Sequence, residues 1–124
     1  MGETLKILLV DDEDHLQEVL GLLLELDGHQ VTTAFSGEQA LEHAKEKKFD
    51  LVITDYKMPG MNGMDVVRSI KKENPDTSVV MITGYPTEDT EKEAQKLGVD
   101  EYVAKPFHMD KMREIIRRIS YKVK

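Results

Sequence analysis

Five side chains of complementary chemistry stand where short apolar runs of this chain end. Leu5–Val10 runs into Asp11 and Asp12, Leu51–Thr54 into Asp55, Ser78–Ile82 into Thr83, and Glu101–Ala104 into Lys105. Carboxylates gathered at one place repel one another, and burial adds to the cost of their charge. Without a cation, one or more of them should have a raised pKa. An oxygen-only ligand set with room for water suits Mg²⁺, which keeps several waters and takes only one or two carboxylates from a protein. Lys105 adds a movable cation and Thr83 a hydroxyl donor, a pair suited to balancing an added dianion. Together they describe a phosphoryl site built on a carboxylate: Asp acts as a covalent nucleophile, and the protein contributes positioning and charge neutralisation. Taken singly, each has a plainer reading. Asp55 is then a turn or cap residue, Asp12 a cap of the first helix, Thr83 a strand-end filler and Lys105 a surface cation.

The elements that must position these groups follow from periodicity and punctuation. Leu5–Val10 is strand 1. Asp14 is the expected N-cap of helix 1, whose apolar residues Leu16, Val19, Leu20, Leu23 and Leu24 recur at helical spacing until Asp27-Gly28. His29–Ala34 is a more polar strand, expected at a sheet edge. Ser36 and Gln39 form a capping box for helix 2, with Ala40, Leu41 and Ala44 inward. Leu51–Thr54, short and buried on both faces, reads as a central strand that stops at Asp55 and gives way to the loop Met58-Pro59-Gly60-Met61-Asn62-Gly63. Helix 3 begins at Asn62-Gly63 and carries Met64, Val67 and Ile70 on one face. After the turn Asn74-Pro75-Asp76 comes strand 4, then helix 4 over Glu88–Leu97, capped by Thr87. Ala94 and Leu97 are that helix's only apolar residues, so it should be loosely held. Strand 5 is Glu101–Ala104, and helix 5 carries Met109, Met112, Ile115, Ile116 and Ile119. This strict alternation without linker or repeat implies one domain over residues 1–124. The fold expected is α/β: a flavodoxin-like (βα)5, doubly wound parallel sheet with right-handed crossovers and strand order 2-1-3-4-5. In such a sheet, ligands bind at the carboxyl ends of the strands.

Composition narrows the partners. A net charge of -7 opposes direct binding to nucleic acid or an anionic membrane, and Arg117, Arg118, Lys122 and Lys124 are too few to reverse that. With no cysteine there are no disulfides or thiolate sites. His15, His29, His43 and His108 are scattered, with no pair at metal-ligand spacing, and suit solvated or capping roles. No signal peptide is recognised at the N-terminus and no apolar run reaches about 18 residues, so a cytoplasmic protein is expected.

Taken together, Val10-Asp11-Asp12-Glu13, Asp55-x-x-Met58-Pro59-Gly60-Met61-Asn62-Gly63, Thr83-Gly84 and Tyr102-x-x-Lys105-Pro106-Phe107 resemble the receiver domains of bacterial two-component response regulators, from Ile7 to Ile119. The resemblance implies that Asp55 accepts a phosphoryl group from a sensor histidine kinase or phosphotransfer protein. It implies that Asp12, Asp55 and the Lys57 carbonyl hold Mg²⁺, with Asp11 helping through water, and that Lys105 pairs with the phosphoryl group. Thr83, next to Gly84, and Tyr102 would form a switch pair that alters a helix 4, strand 5 and helix 5 surface, with a homodimer one possible outcome. The Lys105-Pro106 bond would be cis. Lys57 and Tyr85, two residues after Asp55 and Thr83, stand where the lifetime of the phosphorylated state would be tuned.

Two other functions share part of this pattern. An aspartyl-nucleophile phosphatase also uses a strand-end Asp, Mg²⁺ and a Lys, but generally needs a second Asp two residues on, where this chain has Lys57. A flavin-binding module shares the fold, but its first loop must cradle phosphate, which Asp11-Asp12-Glu13-Asp14 would repel. The signalling-switch reading implies no enzyme beyond the domain's part in its own phosphorylation and slow dephosphorylation. It leaves open the kinase, the output, and whether the chain is a stand-alone receiver or part of a longer protein.

Overall fold

Runs of Leu, Ile and Val too short for helices form the strands, and apolar residues at three- and four-residue spacing form the helices that cover them. The computed structural model describes residues 4–122. Its elements are β1 (Lys6–Val10), α1 (Asp14–Leu26), β2 (Gln30–Ala34), α2 (Gly37–Glu46), β3 (Leu51–Asp55), α3 (Gly63–Glu73), β4 (Ser78–Thr83), α4 (Glu88–Lys96), β5 (Glu101–Ala104) and α5 (Met109–Lys122). The strands pair in parallel in the order β2-β1-β3-β4-β5, the expected doubly wound sheet. Met1–Glu3 and Lys124, which entered the readings of the termini, lie outside the described residues. Among the described residues, no helix is long and apolar enough to cross a membrane.

The period of two along each strand divides the core between the sheet's faces. Ile7, Leu9, Leu51, Ile53, Val80, Ile82 and Val103 pack against Leu20 and Leu24 of α1 and Met112, Ile115, Ile116 and Ile119 of α5. Leu8, Val10, Val52, Val79 and Met81 pack against Ala40 of α2, Val66, Val67 and Ile70 of α3, and Ala94 of α4. Central β3 is buried along its whole length, whereas edge strand β2 is buried only at Ala34. On α4, Ala94 is the single buried residue, and Leu97 packs partly behind it as the C-cap rather than as a helical residue.

Most boundaries fall within a residue of expectation, since the punctuating residues act locally. Ser36 caps α2 by accepting the Gln39 amide, and α3 and α4 begin with reciprocal caps, Asn62 with Asp65 and Thr87 with Thr90. The expected Asp14 cap is corrected: Glu13 occupies the N-cap position without a side-chain cap bond, and Asp14 is already helical. The Gln17 amide, which an Asp14 cap would have taken, donates to the Glu13 carbonyl at 3.2 Å, while Asp11 Oδ1 takes the Glu13 amide at 2.8 Å in the turn ahead of the helix. Asp14 in the first turn still complements the helix dipole.

One histidine is more than a solvated group. The Leu5 amide donates to His29 Nδ1 at 3.0 Å where the chain enters β1 and β2. Burial lowers the His29 pKa from 6.5, against the opposing pull of Asp27. The fold therefore holds the neutral ring. Its contribution to stability is complete above the unfolded value of 6.5 and is lost as pH falls from there through the folded value. Urea midpoints measured at pH 7.5 and 5.5 should show a larger acid loss for the wild type than for His29→Gln, which cannot titrate. Equal losses would remove His29 as the cause.

Candidate functional site

Register carries three of the expected side chains to one place. Asp55 is the last residue of β3, opposite Ile82 of β4, and Asp11 follows Val10, which pairs with Thr54 and Ala34. Asp11 continues the row Ile7, Leu9; Asp55 continues Leu51, Ile53; and Lys105 follows Val103 by two. All three prolong rows that face α1 and α5. Single oxygens of Asp11, Asp12 and Asp55 lie within 4.8 Å of one another. Asp11 is fully buried and Asp55 only 6% exposed, while Asp12 opens to solvent. The Lys105 ammonium reaches Asp11 Oδ2 at 3.1 Å, Asp55 Oδ2 at 3.5 Å and Glu13 Oε1 at 3.7 Å.

The backbone around these groups is tightly tied. The Asp11 amide donates to the Ala34 carbonyl at 3.1 Å, that of Tyr56 to Ile82 at 2.8 Å, and that of Lys105 to Thr83 at 2.7 Å. The loop after Asp55 folds back so that the Gly63 amide donates to the Tyr56 carbonyl at 2.7 Å. A Cβ on Gly63 would overlap the Asp55 carbonyl oxygen, so α3 starts this close to the site only because residue 63 has no side chain. Gly60, at φ +77°, makes the turn between them. The Lys105–Pro106 peptide is cis.

Charge is poorly balanced here. Burial, then the negative charge of Asp11, pushes the Asp55 carboxyl up to about 6, against the lowering influence of Lys105. Burial also raises Asp11, opposed by the Glu13 amide and Lys105. Burial acts to lower Lys105, but Asp11 and Asp55 outweigh it and the ammonium is held above its ordinary value. Buried oxygen donors in excess of local positive charge, with the exposed Asp12 on the solvent side where water ligands have room, fit a hard divalent cation.

The remaining expected residues lie around this centre. Thr83 is buried, and its hydroxyl accepts the Tyr85 amide at 3.1 Å. Gly84 is exposed, and a Cβ there would meet nothing, so packing does not demand glycine. The Tyr102 hydroxyl is 2.5 Å from Thr90 Oγ1, on the face covered by α4. Lys57 and Tyr85, the latter 76% exposed, meet each other: the ammonium lies 5.7 Å from the ring centroid. Sequence reasoning missed two residues. Glu13 adds a third carboxylate to Lys105, and Gln17 is buried beneath Asp11 with its amide nitrogen 3.1 Å from the Asp11 carbonyl. Its signal was spacing, since Gln17 stands three residues before Leu20 and seven before Leu24, on the stripe of α1 that faces the sheet.

Sheet order and an acidic strand-end site define a flavodoxin-like α/β protein of the CheY-like kind. The family model described as the response regulator receiver domain matches residues 7–117, and the chain belongs to that family. It is 41% identical over 112 residues to the transcriptional regulatory protein ZraR of Klebsiella oxytoca, covering 90% of this chain and 25% of that protein. It is 33% identical over 113 residues to sporulation initiation phosphotransferase F of Bacillus subtilis (strain 168), covering 91% of each. Among solved structures, a receiver domain protein from Clostridium thermocellum matches with TM-score 0.87 at 38% identity over 94% of each chain. A CheY-like receiver domain protein from Methanospirillum hungatei JF-1 matches with TM-score 0.90 at 27% identity, over 94% of this chain and 93% of that one. Relatives named as transcriptional regulators are longer: the chain spans 52% of TcrX of Mycobacterium tuberculosis as well as the 25% of ZraR.

The raised Asp55 pKa has a stability consequence. Because the folded value of about 6 exceeds the ordinary 3.8, its contribution is complete below 3.8 and is lost as pH rises through 6. Asp55→Asn should therefore unfold at higher urea than the wild type at pH 7.5 without divalent metal, by on the order of 1–3 kcal/mol. The advantage should vanish near pH 3.5. A variant no more stable than wild type at pH 7.5 would contradict this electrostatic account.

Proposed function

We propose that this chain is a phosphoacceptor switch in a two-component phosphorelay, with Asp55 as the residue phosphorylated. The observation that carries this reading is the Asp55 carboxylate at the end of the central strand, held among Asp11, Asp12 and the Lys105 ammonium. An Asp55 oxygen attacks the phosphorus of a phosphohistidine on a sensor kinase or phosphotransfer protein. The new P–O bond forms as the P–N bond breaks, and the imidazole leaves with the electron pair. Asp12, Asp55 and the Lys57 carbonyl, with Asp11 through water, would hold Mg²⁺, which supplies charge neutralisation for the phosphoryl oxygens. Lys105, now shared between Asp11 and Asp55, is near enough to follow the new charge. The groove between α1 and the loop after β5, lined by Leu16, Val19, Pro106, Phe107 and Met109, opens beside Lys105 and offers the phosphodonor an apolar seat.

Phosphorylation adds about -1.5 to -2 charges. Thr83 then exchanges the Tyr85 amide for phosphate, Gly84 moves with it, and Tyr102 leaves Thr90. The α4, β5 and α5 surface changes because α4 has one buried residue to hold it, and that altered surface meets a partner or a second copy. The domain is a cytoplasmic signalling unit without turnover of an external substrate, in keeping with a net charge of -7 that discourages nucleic acid or membrane contact.

Acetyl phosphate with Mg²⁺, or a cognate kinase, should add one phosphoryl group that is acid-stable and labile to base and hydroxylamine. Asp55→Ala should abolish it. Unchanged labelling of that variant at Ser, Thr or His would defeat the assignment.

The Lys57–Tyr85 contact bears on how long the modification lasts. The pair can roof the line by which water approaches phosphorus opposite the Asp55 oxygen, and neither side chain orients a water as a carboxylate or amide would. The Lys57 cation also stabilises charge on the transferring group, but Mg²⁺ and Lys105 already meet most of that charge, so shielding is the larger effect. Lys57→Asn combined with Tyr85→Glu should speed loss of phosphate in excess Mg²⁺ by roughly tenfold, equivalent to about 1.4 kcal/mol of barrier. An unchanged or slower rate would remove the shielding role.

A further inference from the structure

We infer that Gln17 is a positioning residue for the acidic site, setting where the backbone of Asp11 and Asp12 leaves the sheet. The inference rests on the magnesium reading above and extends it to a side chain that touches no phosphoryl group or metal. Gln17 is 4% exposed. Its Nε2 lies 3.1 Å from the Leu9 carbonyl, 3.1 Å from the Asp11 carbonyl and 2.7 Å from the Ala34 carbonyl. The registered pairing of β1 with β2 ends at Val10 and Ala34. Beyond it, Gln17 is the side chain that ties both strand ends to α1.

Each polar group of Asp11 has a separate partner. The amide donates to Ala34, the carbonyl accepts from Gln17, Oδ1 accepts from Glu13 N, and Oδ2 accepts from Lys105. Without the amide nitrogen, the carbonyl is free to swing and the chain turns differently into Asp12. The orientation of the Gln17 amide is fixed by its surroundings, because reversing it would set an oxygen against three carbonyls. Gln17 Oε1 is consequently left buried with no partner among the described residues. An apolar side chain of the same length would leave the Leu9, Asp11 and Ala34 carbonyls without this donor.

The test is Mg²⁺ affinity of metal-free protein by calorimetry, with thermal unfolding measured beside it, for wild type, Gln17→Met and Ile119→Val. Ile119 lies in the same core layer but near the far end of α5, so its variant reports the effect of lost stability alone. Gln17→Met should weaken Mg²⁺ binding by roughly tenfold, while Ile119→Val lowers the melting temperature and leaves affinity unchanged. A Gln17→Met protein that melts earlier but binds Mg²⁺ as wild type does would overturn the inference and leave the magnesium reading standing. Failure of the wild type to bind Mg²⁺ would overturn both. Should Gln17→Met not fold, the wild-type side-chain amide decides by nuclear magnetic resonance. Mg²⁺ should move the Gln17 NH₂ signals more than those of exposed Gln30 and Gln95, and an unmoved Gln17 overturns the inference.

Discussion

One ammonium stands against two buried carboxylates and two more at their rim, Asp12 and Glu13, and most of the site's electrostatics depends on that imbalance. At 3.1 Å from Asp11 and 3.5 Å from Asp55, Lys105 attracts each, and at separations near 4 Å such a pair is worth about 4 kcal/mol for an effective dielectric of 20. The repulsion between Asp11 and Asp55 is of the same kind and order, and burial penalises every charge involved. The proton taken up near pH 6 by Asp55 is one way to relieve this strain. A divalent cation is another, and under the proposed function a phosphoryl group with its cation is a third. The site is poised because the bare protein leaves it unsettled.

Such crowding persists only on a frame that cannot relax. Parallel pairing places the strand ends in line, and local devices then stop each end from drifting. Gly63 lets the start of α3 press on the Asp55 backbone, Thr83 holds the Lys105 amide, and Gln17 grips the ends of β1 and β2. The apolar rows behind Asp11 and Asp55 are fully buried from Ile7 to Leu9 and from Leu51 to Ile53, so moving either carboxylate would disturb the core.

The parts of this arrangement that were legible in the sequence are those with a local or periodic cause. The β3 run reads as buried because it has no polar alternation, and the caps Ser36, Asn62 and Thr87 announce their helices. Asp11, Asp12, Asp55, Thr83 and Lys105 are legible because each follows an apolar run, so strand direction alone brings them to one edge. Asp14 misled because cap propensity does not fix where a helix begins: the Gln17 amide already donates to the Glu13 carbonyl, which puts residue 14 inside the first turn. Gln17 and Glu13 were passed over for a related reason. Their partners are a carbonyl on β2 and an ammonium 92 residues away in the chain, contacts that no local pattern carries.

The sheet also separates the acidic site from the face that α4 covers. Asp11, Asp55 and Lys105 prolong rows that face α1 and α5, whereas Thr83 and Tyr102 follow Val79, Met81 and their neighbours on the face covered by α2, α3 and α4. Under the proposed function, a change of charge at Asp55 has to cross the sheet to reach α4. The crossing lies in the loops after β4 and β5, where the Thr83 carbonyl takes the Lys105 amide and the Thr83 hydroxyl takes the Tyr85 amide. Tyr102 completes the link by bonding Thr90 in the first turn of α4. Under the proposed function, Thr83 at the site edge and Tyr102 within β5, with side chains on the α4 face, would connect them, and α4, fixed by Ala94 with Leu97 half-buried behind it, is the helix with the least apolar burial to resist a change.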